Sequence, residues 1–141
     1  MRACGKADDL TLARDGKPVA HLKFGTEYCP IESLAWSADG RWLLVENLGE
    51  DTSSSAPQSD YHIVDASGQE VIAAGSGLNG AWIPGRDVIF YTTPRDTAPM
   101  PWAPKHTAWV ERLVTFDVAT RKTTPVTTGF SDDMDPVLCG K

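Results

Sequence analysis

Short runs of apolar residues alternate with polar, turn-forming segments along most of the chain. Two of them, RWLLVENL at 41–48 and DVIFYTT at 87–93, are apolar at several consecutive positions. Because side chains of a strand point alternately to opposite faces, consecutive apolar residues are typical of a strand covered on both sides. The runs are bounded by Gly, Pro, Asp and Ser, and no window has amphipathic-helix spacing. The pattern therefore predicts an all-β protein with stacked sheets.

One hairpin unit recurs three times at equal spacing. The segments TLARDGKPVAHL, HIVDASGQEVIA and VTFDVATRKTTPV each consist of a short strand, a polar turn and a second strand. Gly16, Gly68 and Thr120 stand at matching turn positions, and 68 minus 16 and 120 minus 68 are both 52. A fixed period of this size indicates a repeat architecture.

A second unit lies between these hairpins. SLAWSADGRWLLVEN and NGAWIPGRDVIFYTT each contain Ala-Trp, a turn with Gly-Arg and a buried-looking strand. We expect Trp36 and Trp82 to anchor the two copies. Asp39-Gly40 and Pro84-Gly85 suit tight reversals, since glycine accepts positive φ and proline fixes φ early in a turn.

Four strands per repeat and a period near 50 residues describe the blades of a β-propeller. A β-sandwich is the main alternative, but it gives no reason for the equal offsets. The segments AWSADGRWLLV and AWIPGRDVIFY resemble the WD40-like repeat of TolB-type propellers and of the propeller domains of prolyl-oligopeptidase-type peptidases. That repeat usually reads Trp-Ser-Pro-Asp-Gly before an apolar strand, and Ala38 stands where proline is common. The resemblance implies blades and no particular activity.

The chain is predicted to be a single propeller-like domain over 1–141. It divides into a partial blade at 10–24, whole blades at 31–74 and 80–127, and a partial blade at 131–141 with a strand near Val137. Propellers have about four to eight blades, so three explanations stay open. The chain is a fragment, its hairpins form a smaller fold, or a homodimer completes a six-bladed ring by covering open sheet edges.

Composition excludes two classes of partner. The 141 residues carry a formal charge of -6 with scattered Lys and Arg, which argues against binding a nucleic-acid backbone. No apolar run reaches the roughly 18 residues of a membrane span, and the N-terminus has no signal-peptide core. If a leader had been removed before Cys4, the protein would be periplasmic or extracellular, but the sequence does not decide this.

Metal and cofactor sites find little support. Cys4, Cys29 and Cys139 lack C-x-x-C spacing, so we interpret them as idle or buried thiols. A disulfide between Cys4 and Cys139 is the alternative. The acidic run SDDMDP at 131–136 lacks the glycine and glutamate of an EF-hand and is more simply a turn. We expect no cofactor. Asp65 and Asp117 are expected to cap the turns that follow them.

An enzyme is not expected either. Nucleophilic catalysis needs a base beside an activated Ser or Cys, but His21, His62 and His106 fall in separate repeats or loops. The glycine-rich GSGLNG at 75–80 does not have the G-x-S-x-G spacing of a nucleophile elbow. The alternative is an enzyme accessory, or part of the propeller domain of a prolyl-oligopeptidase-type hydrolase.

Two long connections interrupt the tight turns, at 48–60 and 94–107. Both follow the second strand of a repeat, so we expect them on one face of the molecule, where binding residues concentrate. The second connection is rich in proline and is predicted to favour polyproline II. Its Trp102 is either a recognition residue or a cover for the outer edge of its own blade, and we favour the cover.

The sequence thus predicts a non-enzymatic binding or scaffolding module whose ligand is a peptide, a protein surface or a saccharide. Aromatic rings beside carboxylates suit these ligands. The candidate contacts are Trp102, Trp109, Tyr61 and Glu50.

Overall fold

A computed structural model describes residues 8–24, 30–49, 58–94 and 96–127. Within these ranges the chain forms eleven β-strands and no helix, which confirms the all-β prediction. The strands are β1 (Asp8–Arg14), β2 (Lys17–Phe24), β3 (Ile31–Trp36), β4 (Trp42–Leu48), β5 (Ser59–Asp65), β6 (Val71–Trp82), β7 (Val88–Thr92), β8 (Asp96–Met100), β9 (Ala103–Val110), β10 (Leu113–Asp117) and β11 (Lys122–Pro125). The strand predicted near Val137 lies outside the described residues.

All pairings between strands are antiparallel. β1 and β2 form one hairpin, β8 and β9 form another, and seven strands make a continuous sheet in the order β11-β10-β7-β6-β5-β4-β3. β6 is shared, because its first part pairs with β5 up to Gly77 and its last part pairs with β7 from Leu78. One strand therefore runs through residues 75–79, between the two predicted blades, and joins two four-stranded halves that share it.

The seven-stranded sheet folds over at β6 so that its two halves pack face to face. The first core cluster takes residues from both halves: Leu44, Tyr61, Ile63, Ile72 and Ala74 from β3–β6, and Ile89, Tyr91, Val114 and Phe116 from β6–β11, together with Val118. Burying one such aliphatic or aromatic side chain contributes roughly 1.5–3 kcal/mol. This contact between halves is therefore held mainly by apolar burial.

A second core lies on the other face of β3–β6. Leu10 and Leu12 of β1 pack there against Leu43 and Val45 of β4, while Leu44 between them belongs to the first core. β4 is thus covered on both sides, as its consecutive apolar residues predict. The result is three layers, with β3–β6 in the middle.

The predicted turns are confirmed, with one shift. Asp15 and Gly16 both have positive φ in the two-residue β1–β2 turn, and Gly68 has φ 73° in the β5–β6 turn. In the β10–β11 turn the residue with positive φ is Arg121, at 55°, and not Thr120. The Asp117 carboxylate instead accepts the Thr120 N–H at 2.8 Å.

Asp65 caps its turn in the same way as Asp117. Its carboxylate accepts the backbone N–H of Glu70 at 2.7 Å and that of Ser67 at 3.1 Å. Both predicted capping roles are therefore confirmed.

The two tryptophans of the second unit differ in their surroundings. Trp82 is partly buried against the first core, and its Nε1 donates to the Ala35 carbonyl at 2.8 Å, across to the other half. Trp36 is 49% exposed. The anchor role is thus observed for Trp82, whereas the Trp36 ring lies at an open surface.

No helix in the described part of the chain is long and apolar enough to cross a membrane.

Candidate binding surface

The proline-rich connection after β7 forms a β-hairpin. Thr97 pairs with Trp109 and Pro99 with Thr107 along β8 and β9, so the prediction of polyproline II is wrong. Proline lacks an N–H but is tolerated on a strand with an open edge, and among the described strands this hairpin pairs with no third strand on either side. The prolines of the connection hide the strand-forming run Ala103–Val110 in the sequence pattern.

Trp102 lies at the tip of this hairpin. It occupies the turn between Met100 and Ala103, and its side chain is 69% exposed. The interpretation that this ring covers the edge of its own sheet is therefore wrong. The ring instead stands at an exposed turn between two paired strands.

The hairpin is anchored to the sheet at its base. The Thr93 N–H donates to the Arg112 carbonyl at 2.8 Å, and the Arg112 N–H donates to Thr93 Oγ1 at 3.0 Å, continuing the β7–β10 pairing outward. Val110 and Glu111 at this base are buried. The hairpin therefore projects from the end of the sheet opposite to the β6–β7 and β10–β11 turns.

Of the other three predicted contacts, only Tyr61 has a side chain within the described part of the structure. Trp109 lies on β9 opposite Thr97, and its side chain is outside what the structure describes. Glu50 also lies outside the described residues. Tyr61 is 1% exposed, so its assignment as a ligand contact is corrected: its ring belongs to the first core, because β5 is the third strand of a sheet covered on both faces.

The buried Tyr61 hydroxyl has polar partners. It accepts the Gly80 N–H at 2.9 Å and lies 3.4 Å from a carboxylate oxygen of Glu46, to which it donates. Burial, with the Glu46 charge adding to it, raises the pKa of Tyr61 above its usual value of 10. Tyr61 is therefore a neutral structural hydrogen-bonding residue.

A polar cleft lies at the opposite end of the sheets, between the β3–β4 and β6–β7 turns. It has a volume of about 180 Å³ and is lined by Ala38, Asp39, Arg41, Gly85, Arg86 and Asp87. The Arg41 guanidinium contacts both Asp39 and Asp87. Hydrogen bonds from the Arg41 backbone N–H and side chain, and from Ser37, lower the pKa of Asp39 to about 2. The charges lining this cleft thus largely compensate one another.

The turns at this end make equivalent hydrogen bonds within each of the two halves. The Ala66 N–H donates to the Arg41 carbonyl at 2.9 Å, and in the other half the Val118 N–H donates to the Asp87 carbonyl at 3.0 Å. Arg41 and Asp87 are therefore structurally equivalent. The sequence instead aligns Gly40-Arg41 with Gly85-Arg86, which differs from the structural alignment by one residue. Glu70 and Arg121 form a second ion pair between neighbouring turns.

The three histidines stand on three different strands, β2, β5 and β9. His21 shares a hydrogen bond of 3.0 Å with Thr11, and His62 one of 3.0 Å with Asn47. Burial lowers the pKa of His62.

No group of three potential metal ligands occurs among the described residues. The three cysteines, interpreted as idle or buried thiols, and the acidic run at 131–136, interpreted as a turn, lie outside those residues.

Comparisons of the chain with protein-family models, with curated proteins and with solved structures give no match.

Proposed function

We propose that the chain is a non-enzymatic binding module of β-propeller type whose β8–β9 hairpin presents Trp102 to a partner protein or peptide. The observation that carries this proposal is the 69% exposure of Trp102 at the hairpin tip. Tryptophan is enriched among the few residues that dominate binding energy at protein interfaces. An indole held out by a paired hairpin loses less conformational freedom on binding than one on an irregular loop.

The propeller part of the proposal rests on the repetition of one unit. One half contains β3, β4, β5 and β6, and the other contains β6, β7, β10 and β11, so each has four antiparallel strands with β6 shared. Their equivalent turns make equivalent hydrogen bonds. The segment AWSADGRWLLV resembles a WD40-like repeat, in which such sheets stand side by side around an axis. Propellers present long connections between strands at one end of the ring, and the β8–β9 hairpin is such a connection.

Its shape favours a protein partner over a saccharide. Sites for small ligands are concave, whereas Trp102 lies at the end of a projection. Lys105 and His106, both exposed on β9, are close in sequence to the ring. We therefore expect a partner surface with an apolar groove bordered by carboxylates.

Selection from a displayed random-peptide library on the immobilised chain tests the proposal. The dissociation constants of the selected peptides are measured by calorimetry for the wild type, for Trp102→Ala and for the control Val126→Ala, which truncates another exposed apolar residue. We expect Trp102→Ala to weaken binding at least tenfold, which corresponds to about 1.4 kcal/mol, and the control to bind normally. Peptides that bind Trp102→Ala as well as wild type would overturn the proposal, as would binding on a glycan array alone.

A further inference from the structure

A second cleft lies between the β1–β2 hairpin and the middle sheet. Three separate parts of the chain form it: the end of β1, the β3–β4 unit and the β5–β6 turn. It has a volume of about 270 Å³ and is lined by Leu12, Ala13, Arg14, Trp36, Gly40 and Ala66. A concave, mostly apolar space with a single polar side chain on its wall is the usual form of a small-molecule site.

Trp36 supplies an aromatic surface to this cleft. In the β3–β4 register Trp36 stands opposite Leu43, and paired residues of a sheet lie on the same face. Leu43 belongs to the second core, which is the contact between the hairpin and the middle sheet. The Trp36 ring therefore lies on the face that the hairpin covers, but it is 49% exposed.

Arg14 lies on the opposite wall. Leu10 and Leu12 of β1 point into the second core. The register shift between Leu12 and Ala13 leaves its extra residue, Val19, on β2, so side chains continue to alternate along β1. Arg14 therefore follows the two leucines on the face of β1 that is turned toward the middle sheet.

This end of the hairpin carries two cations without partners. Lys17 stands opposite Arg14 in the β1–β2 register. In the described part of the chain neither side chain makes a hydrogen bond or an ion pair, and Asp15 in the turn between them pairs with neither. Like charges on paired positions destabilise a hairpin. A pair of free cations beside a cleft, on a chain with a net charge of -6, points to a ligand with an anionic group.

The rest of the lining favours an apolar ligand body. Arg14 is the one polar side chain among the six lining residues. The Gly40 N–H already donates to the Ser37 carbonyl, and the Ala66 N–H to the Arg41 carbonyl. Because hydroxyl groups buried without partners are costly, a saccharide suits this cleft poorly. A ring with a single charged group suits it well.

We propose that this cleft binds a small aromatic carboxylate. The ring of the ligand packs against Trp36 and Leu12, and its carboxylate pairs with the Arg14 guanidinium, an arrangement that gives a strong, charge-assisted hydrogen bond. Lys17 adds to the attraction for the anion. The site is separate from Trp102 and goes beyond the proposed role of the β8–β9 hairpin.

NMR titration of the ¹⁵N-labelled chain with 3-phenylpropanoate tests the proposal. Binding is followed at the Trp36 indole N–H, which is assigned by the absence of its signal from Trp36→Leu. We expect the neutral 3-phenylpropan-1-ol to bind at least about tenfold more weakly than the carboxylate, because the hydrogen bond to a charged acceptor is lost. Glucuronate, which has the charge but carries hydroxyl groups, should also bind more weakly.

Two variants locate the charge that the ligand contacts. Arg14→Gln should weaken the binding of 3-phenylpropanoate and leave that of 3-phenylpropan-1-ol unchanged. The control Lys122→Gln removes an exposed cation from β11, in the other half of the folded sheet, and should bind the carboxylate like wild type. Circular dichroism checks that both variants are folded.

Four results would overturn the proposal: no change of the Trp36 signal, equal affinities for the carboxylate and the alcohol, tighter binding of glucuronate, or unchanged binding by Arg14→Gln. The comparison of the three ligands on wild type decides the matter even if a variant does not fold. Failure here leaves the peptide-binding comparison at Trp102 unaffected, so the two proposals fail separately.

Discussion

The rings of Tyr61 and Tyr91 lie 5.2 Å apart between centroids, on strands of different halves of the folded sheet. Both hydroxyls bond to β6: Tyr61 accepts the Gly80 N–H, and Tyr91 donates to the Ala74 carbonyl, each at 2.9 Å. This pair fixes the shared strand at two points on either side of its change of partner. The two tyrosines therefore help to hold the halves of the folded sheet together at β6.

Tyr91→Phe should lower the free energy of unfolding by about 1–3 kcal/mol, because the buried Ala74 carbonyl loses its donor. Ala74 has no partner in the β5–β6 register, which shifts between Tyr61 and His62, so the ladder does not replace the lost bond. Urea unfolding at neutral pH measures the change. Thr124→Ala, at an exposed position of β11, is the control, and equal midpoints for the two variants would contradict the assignment.

Gly77→Ala should destabilise the protein more than Gly16→Ala. A Cβ at Gly77 would overlap the backbone carbonyl of Thr92 on β7, which is held by the sheet and cannot move aside cheaply. Gly16 has φ 75° but open space around it, so its substitution costs only backbone strain, about 1 kcal/mol. Thermal unfolding of the two variants compares a steric cost with a conformational one. A Gly16→Ala variant that is the less stable would show that the β6–β7 approach is looser than described.

The β6 strand shows which features of the fold a sequence pattern can predict and which it cannot. The consecutive apolar residues of 41–48 correctly predict a strand covered on both faces, and the aspartates before the turns correctly predict capping. Both features depend on local spacing. The packing of GSGLNG is different, because nothing in its local sequence reveals that its glycines meet Tyr61, Tyr91 and Thr92 from distant strands.

The candidate site was harder to predict for the same reason. Tyr61 is of a residue type that is common at binding sites, but its burial is decided by which strands pair with β5. Trp102 lies among prolines, which hide the periodicity of the hairpin in the sequence. Its exposure depends on the pairing of β8 with β9, which residue propensities alone do not specify.

The Asp39 carboxylate should make stability depend on pH at the acidic end. Its folded pKa of about 2 lies below the ordinary value of 3.8, so its ionised form is favoured by folding. The stabilisation is complete above the ordinary pKa and is lost as the pH falls through the folded pKa.

A ¹³C-detected NMR titration should give the low pKa of Asp39 directly. Asp39→Asn should lose stability relative to wild type at neutral pH and approach it near the folded pKa. An ordinary titration of Asp39 would contradict its bonds to Arg41.

Shortening the β8–β9 hairpin separates its binding role from the fold. Replacing residues 98–108 by Asn-Gly keeps the Thr97–Trp109 pair next to a two-residue turn that suits a hairpin. The removed residues with described side chains are exposed or partly exposed, while the buried Val110 and Glu111 stay.

The free energy of unfolding should therefore change by less than about 1 kcal/mol, and the peptides selected on wild type should no longer bind. Urea unfolding and calorimetry on one preparation measure both. A variant that unfolds would mean that the hairpin supports the sheet, and a folded variant that still binds would move the site away from Trp102.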